Sequence, residues 1–144
     1  MYAPKTILTP QHAALEEHNA LRDLLGKIGE AITDPRCGHG QWKHRMGLLR
    51  ARLIEHFEHE EEGGYFRELV TSAPWLAKQA AVLEQEHVLL RTRIDDLVSS
   101  RYNDHSRADL QDRFQNFCEA LLAHEVRENN LIQKSQCDDL GSAD

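Results

Sequence analysis

Residues 48–62 read LLRARLIEHFEHEEE, and residues 116–130 read NFCEALLAHEVRENN, so a histidine and a glutamate recur at one spacing in both stretches. The offset between the two stretches is 68 residues. The matched pairs are Leu49 with Phe117, Leu53 with Leu121, His56 with His124, and Glu60 with Glu128. Steps of three and four residues place side chains on one face of an α-helix, the face that normally packs against a core. Both stretches are therefore predicted to be helices that carry histidine and glutamate on a buried face.

Two further histidines, His18 and His87, form a second matched pair with an offset of 69 residues. Each begins an apolar stripe at helical spacing. The stripes are Leu21, Leu25 and Ile28 after His18, and Leu90, Ile94 and Leu97 after His87. A buried histidine or carboxylate is costly unless it is paired or binds a metal. Six such groups on four helices predict a metal site inside a helical bundle. They are His18, His56, Glu60, His87, His124 and Glu128.

Four helical segments are predicted along the chain. Their ranges are about Pro10–Ile32, with Thr9 as a cap, then Gln41–Val70, a third segment that begins within Ser72–Pro74, and a fourth that begins near Asp104 or Ser106. No segment alternates with period two, and helices joined by short loops pack as antiparallel neighbours. The predicted fold is an all-α, up-down-up-down antiparallel four-helix bundle. It forms one domain over residues 1–134, followed by a polar, frayed tail over residues 135–144.

The glycine pair Gly63-Gly64 interrupts the predicted second helix, and Gly63 falls on its inner stripe one turn after Glu60. Two glycines weaken a helix. One interpretation is a kink or a helix end before Tyr65. The other is a missing side chain that opens a path to the metal site. The sequence favours neither.

Composition restricts the class of partner and the compartment. The chain has 144 residues, 40% hydrophobic content and a formal net charge of −7. This acidity argues against nucleic acid and anionic membranes as partners, because both are bound through lysine and arginine. The three scattered cysteines form no CxxC pair and favour a reducing compartment. No signal peptide or membrane span is recognised, so a cytoplasmic protein is expected.

The spacing also predicts how metal ions would be held. Residues four apart on a helix differ by only about 40° around its axis, so His56 and Glu60 project into one space, as do His124 and Glu128. Six inward donors are too many for one tetrahedral zinc and suit two ions with mixed nitrogen and oxygen ligands. In the symmetric solution each ion takes two histidines, both glutamates bridge, and a bridging oxo or hydroxo group completes most of each shell. One position stays open for a small molecule. Two iron ions are favoured, and manganese or zinc is the alternative.

Four short motifs carry a resemblance to a known family. They are EEHNALRDLL around His18, IEHFEHEEE from residue 54, EQEHVLL at His87 and LLAHEVREN around His124. In this order, over about residues 10–132, the chain resembles a hemerythrin-like domain of the HHE cation-binding type. The resemblance implies a non-haem di-iron centre in a four-helix bundle. Such a centre handles dioxygen, related diatomic molecules or peroxide, or senses iron or oxygen.

Two positions depart from the oxygen-carrying hemerythrins. Those proteins have a fifth histidine where this chain has Arg91, and an aspartate where it has Asn129, with Glu128 one residue earlier. The more symmetric set of four histidines and two glutamates weighs against reversible oxygen carriage. Two roles stay open for Arg91: it points at the site and holds an anion, or it extends to solvent.

Three functions follow as hypotheses. The first is a di-iron protein that binds or reduces dioxygen, peroxide or nitric oxide at an open iron position. The second is an iron or oxygen sensor that acts through a partner protein without turnover, and the third is a structural zinc site. Whether the protein is an enzyme, and its oligomeric state, are left open. Two weaker ligand candidates are His59, beside His56, and Glu84, which forms a Glu-x-x-His pair with His87.

Overall fold

The chain folds into four long helices and one short one. The computed structural model describes residues 10–62, 64–99 and 107–141. Its α-helices are α1 (Pro10–Thr33), α2 (His39–Glu61), α3 (Tyr65–Ser72), α4 (Ala77–Ser99) and α5 (Arg107–Gly141), and a 3₁₀ turn at Pro74–Leu76 joins α3 to α4. No strand occurs within these ranges, which confirms the all-α prediction. In the same ranges, no helix has an apolar stretch of the length needed to cross a bilayer.

The four long helices form a closed ring. Helix α1 packs on α2, α2 on α4, α4 on α5, and α5 returns to α1. The short helix α3 lies against α2, α4 and α5 at one end. This is the predicted four-helix bundle. On α4 the buried residues match the predicted stripe position for position, because an apolar step of three and four residues leaves only one face able to bury. They are Ala80, Leu83, His87, Leu90, Ile94 and Leu97.

The apolar core is divided into two clusters by a polar layer. The larger cluster draws on α1 after His18, α2 up to Phe57, α4 after His87, and α5 before His124. The smaller cluster combines α3 and the 3₁₀ turn with the first turns of α4 and the part of α5 after Glu128. The buried polar side chains lie at the level between the clusters. Burial of aliphatic and aromatic side chains stabilises both ends of the bundle and holds the polar layer in the interior.

The second predicted helix is wrong in its length. Helix α2 ends at Glu61 with Glu62 as its cap, and a new helix begins at Tyr65 instead of continuing to Val70. Between them Gly64 has φ +98°, in the left-handed region that glycine adopts without steric penalty. The glycine pair therefore marks a helix end, although Gly63 itself lies outside the described residues. The break turns α3 across the end of the polar layer.

Replacing Gly64 with alanine is expected to lower the free energy of unfolding by about 1–2 kcal/mol, because a side chain disfavours the left-handed backbone. Space is not the cause, since an added Cβ would meet no heavy atom within 4 Å. Gly47→Ala is the matched control: it has the same free space inside α2 and is expected to gain roughly 0.5–1 kcal/mol. Urea denaturation measures both. Equal effects at the two glycines would contradict the strain at Gly64.

The ends of the helices also differ from the prediction. The carbonyl of Ile32 near the end of α1 accepts hydrogen bonds from the Arg107 guanidinium (3.1 Å) and the Gln111 amide (2.9 Å), which satisfy a carbonyl that the helix itself cannot. The predicted frayed tail is wrong over residues 135–141, because α5 continues to Gly141 and Ser135 is buried. The predicted caps at Thr9 and Ser106 lie outside the described residues.

Candidate metal centre

All six predicted ligands lie in the polar layer between the two apolar clusters. Each is between 0 and 3% exposed. Helix α1 supplies His18, α4 supplies His87, and α2 and α5 each supply a histidine and a glutamate one turn apart. Their donor atoms form two groups that share both glutamates, and within each group the atoms lie within 4.8 Å of one another. The first position is His18, His56, Glu60 and Glu128. The second position is His87, His124, Glu60 and Glu128.

The two glutamates each connect the two halves of the bundle. Glu60 Oε1 lies 2.9 Å from Nε2 of His56 on its own helix and 3.4 Å from Nε2 of His87 on α4. Glu128 Oε2 lies 3.2 Å from Nε2 of His124 on its own helix and 3.3 Å from Nε2 of His18 on α1. Each carboxylate thus faces one histidine of each position, as the bridging arrangement requires.

The donor set fits two metal ions. Nitrogen and oxygen ligands lie about 2.1 Å from a transition metal, so neighbouring ligands on one ion are separated by roughly 3–4 Å. The Nε2 atoms of His87 and His124 lie 3.1 Å apart, within that range. Neither carboxylate oxygen of Glu60 or Glu128 has a hydrogen-bond partner, and the same holds for His18 Nε2. Buried polar atoms are normally hydrogen-bonded. Their convergence without partners is the pattern expected of ligands directed at cations.

Sequence reasoning did not identify the groups that orient the imidazoles. Each of the four histidines directs Nε2 inward and uses Nδ1 to donate a hydrogen bond to a side chain on a neighbouring helix. The acceptors are Glu17 for His56, Asn129 for His18 at 3.2 Å, Glu61 for His87 at 3.1 Å, and Glu86 for His124 at 3.3 Å. Such partners fix the tautomer that leaves Nε2 free for a metal, and a carboxylate acceptor raises the basicity of the ring.

The repeat contains a signal that could have found these four residues. Glu17 and Glu86 both precede the first histidine of a hairpin, at the 69-residue offset, and each contacts the second histidine of its own hairpin. Glu61 and Asn129 both follow a shared glutamate, at the 68-residue offset, and each contacts the first histidine of the other hairpin. The twofold pattern therefore extends to the outer shell of the site.

Arg91 has neither of the roles left open for it. Its Nη2 lies 3.5 Å from Glu61 Oε2, and its guanidinium carbon lies 5.9 Å from the centre of the Phe57 ring. Arg91 therefore neutralises the carboxylate that orients His87. Arg127 pairs in the same way with Glu86, so both outer carboxylates of the second position carry an arginine partner.

The first position differs from the second in one buried carboxylate. Glu125 is 1% exposed and accepts a hydrogen bond from Arg22 Nε at 2.9 Å. At the corresponding point of the other half the chain has Phe57, whose ring stacks on His87 with centroids 3.9 Å apart. One position is thus flanked by a carboxylate and the other by an aromatic ring. The repeat is therefore chemically asymmetric around the ligands.

The two weaker ligand candidates are both at the surface. Glu84 is exposed, so the Glu-x-x-His pairing with His87 does not form. The His59 side chain is 57% exposed, and its Nδ1 donates to Glu17 at 2.7 Å. His59 therefore contacts an outer-shell carboxylate and lies outside both ligand groups.

The electrostatics of the site separate the histidines by charge. Although burial opposes it, the contacts with Glu17 and Glu60 raise the pKa of His56 to about 9. Burial and the charge of His87 lower the pKa of His124 to about 4, and burial also lowers the pKa of His18. Burial would raise the pKa of Glu60, but contacts with His56 and His87 lower it to about 2. At neutral pH, His56 is the protonated histidine and Glu60 is ionised.

Metal binding near pH 7 is expected to release a proton from His56, because a ligating imidazole must be neutral. Since the pKa of His56 is about 9, apparent affinity at the first position should rise about tenfold per pH unit from pH 7 towards 9. Calorimetric titration with Zn²⁺ in two buffers of different ionisation enthalpy measures the protons released. Glu17→Gln, which removes a cause of the raised pKa, should release fewer. Wild-type binding without proton release at pH 7 would contradict the assignment.

Comparison with known proteins supports this assignment of the donor set. The family model described as "Hemerythrin HHE cation binding domain" matches residues 9–134, the range that contains all six candidate ligands and their outer partners. No curated protein and no solved structure gave a match.

Proposed function

The chain belongs to the hemerythrin family of HHE cation-binding domains, and from this premise we propose that it is a non-haem di-iron protein that binds or reduces dioxygen, peroxide or nitric oxide. The observation that carries the proposal is the pair of ligand groups joined through Glu60 and Glu128. Histidine nitrogens and carboxylate oxygens, with no thiolate, suit iron. When bound, an iron pair supplies a redox-active electrophilic centre with room for one small ligand.

The protein's own residues prepare the centre for this chemistry. Glu17, Glu61, Glu86 and Asn129 hold the four rings with Nε2 inward. The apolar clusters above and below the layer exclude bulk water from the ligands. A dry interior strengthens electrostatic interactions and limits side reactions. The arrangement therefore restricts access to small molecules that can pass between packed helices.

An anaerobic-to-aerobic optical experiment tests the proposal. Metal-free protein is loaded with Fe²⁺ without oxygen, its iron content is measured, and its absorption spectrum is recorded before and after exposure to air. Two iron ions per chain and new near-ultraviolet and visible bands on exposure are expected. A variant with Glu60→Gln and Glu128→Gln should show neither. Fewer than two ions per chain in the wild type, or a spectrum that oxygen does not change, would overturn the proposal.

A sensor that acts through a partner protein is the second candidate. It is favoured by the distribution of the ligands over all four long helices, because metal loss would then change the packing of every helix in the ring. A sensor predicts negligible turnover of peroxide and a partner retained only by the metal-loaded form. Metal analysis of protein from unsupplemented cells separates both candidates from a structural zinc site.

The cysteines bear on where this function operates. Cys37, Cys118 and Cys137 are free thiols, which agrees with a reducing compartment. We place the proposed iron chemistry in the cytoplasm on this ground.

A further inference from the structure

Tyr65 carries a buried hydroxyl that no protein group satisfies. The residue is 1% exposed, and its hydroxyl oxygen has no hydrogen-bond partner in the described part of the chain. A buried donor without an acceptor is costly, and replacing it with an apolar group of the same shape would remove the cost. The smaller apolar cluster would accept phenylalanine at this position. The retained hydroxyl therefore points to a role outside packing.

Tyr65 lies at the boundary between the smaller apolar cluster and the metal layer. It is the first residue of α3, directly after the left-handed Gly64. Its ring lies 4.9 Å from the ring of Phe66, which in turn lies 5.6 Å from the ring of His87. The other buried members of the cluster are apolar and offer no side-chain acceptor. They are Phe66, Leu69, Ala73, Leu76, Ala80, Leu83, Leu131 and Ile132.

The polar group within electrostatic reach of the phenol is a shared metal ligand. Burial raises the pKa of Tyr65 well above its usual range, and the negative charge of Glu60 raises it further. The phenol thus stays protonated and can act only as a neutral donor at physiological pH. It is a fixed donor beside the bridging carboxylate, on the side of the centre that α3 covers.

We propose that Tyr65 donates a hydrogen bond to the small molecule that binds at the metal centre, on the side covered by α3. The inference rests on the proposed function. It assigns the ligand to a class: a small molecule with an acceptor atom, such as dioxygen, peroxide or a small anion. Tyr65 is a specificity-determining residue in this assignment, and a ligand without an acceptor atom gains nothing from it.

The test compares azide binding to iron-loaded wild type and to Tyr65→Phe, which keeps the ring and removes the donor. Optical titration should show azide affinity about five- to tenfold weaker in the variant, the usual effect of one lost hydrogen bond. Iron content should stay at the wild-type value. The melting temperature of the metal-free variant should be equal or higher, because an unsatisfied donor has been removed. Ser135→Ala is the control, since it deletes a buried hydroxyl that donates to the Ile132 carbonyl at the far end of α5, and its azide affinity should equal that of the wild type.

The outcomes separate this inference from the function on which it rests. If the wild type binds iron and azide and Tyr65→Phe binds azide equally well, the role of Tyr65 is overturned and the di-iron proposal stands. If Tyr65→Phe loses iron, the phenol acts on Glu60, and the inference is again overturned. If the wild type takes up no iron, the proposed function fails, and the Tyr65 inference fails with it.

Discussion

Glu60→Gln is expected to reduce the metal content of the protein from two ions per chain to at most one, with the affinity for the remaining ion lowered roughly 100-fold or more. Glu60 faces His56 at the first position and His87 at the second, so one substitution removes a ligand from both ions. Glutamine has nearly the same shape, but its amide nitrogen has no lone pair for a second cation. Adding Glu128→Gln should abolish binding. Titration with Fe²⁺ without oxygen, followed by metal analysis, measures the stoichiometry.

Neighbouring glutamates on the same helix provide graded controls. Glu58 is exposed, and Glu58→Gln should bind two ions with unchanged affinity. Glu61 accepts from His87 Nδ1, and Glu61→Gln should keep both ions with affinity lowered by about 10- to 100-fold, the usual effect of an outer-shell partner. If Glu60→Gln and Glu58→Gln behaved alike, a bridging role for Glu60 would be untenable.

The sequence predicted the ligand layer well because its signals are local. Helical spacing alone places His56 and Glu60 on one buried face, and the 68- and 69-residue offsets relate the two hairpins before any contact is known. The structure brings the six residues together as the repeat indicates. The family assignment and the bundle were predictable for the same reason, since both depend on periodicity and motif order.

Contacts between helices were harder to predict. That Arg91 would neutralise Glu61, rather than reach the metals or solvent, depends on how α4 sits against α2. Glu125 follows His124 directly and looks like a surface residue in the sequence; its burial is evident only once Arg22 of α1 is seen to face it. Side chains one position off the inner stripe are buried or exposed according to the neighbouring helix, and periodicity does not describe that neighbour.

Errors at the helix ends have local causes. The apolar stripe continues on both sides of Gly64, so the pattern indicates one helix, while the backbone at Gly64 makes two. Beyond Ser135 the stripe stops and the sequence is polar, which indicates a tail. Helix α5 nevertheless continues to Gly141, because a helix already formed extends at little cost over residues with adequate propensity.

Removing the metal is expected to lower the melting temperature by about 10–20 °C. A metal that binds only the folded state at 1,000 times its dissociation constant adds about 4 kcal/mol, and for a chain of this size 1 kcal/mol corresponds to roughly 3–5 °C. The physical reason lies in the layer itself. Without cations, the carboxylate oxygens of Glu60 and Glu128 are buried with no hydrogen-bond partner, a costly state for ionised groups. Calorimetry of chelated and reloaded protein at pH 7 measures the difference.

A variant with Glu60→Leu and Glu128→Leu separates metal stabilisation from ordinary packing. It removes the two unsatisfied carboxylates, and replacing buried charges by apolar groups of similar volume is often neutral or stabilising. Its melting temperature should equal or exceed that of metal-free wild type and should not respond to added metal. If verified metal-free wild type instead melts at the same temperature as the loaded protein, the buried layer is stable by itself and its donors are not held for cations. A layer that destabilises the empty bundle and stabilises the loaded one is explained by metal binding, because packing alone would favour leucine at both positions.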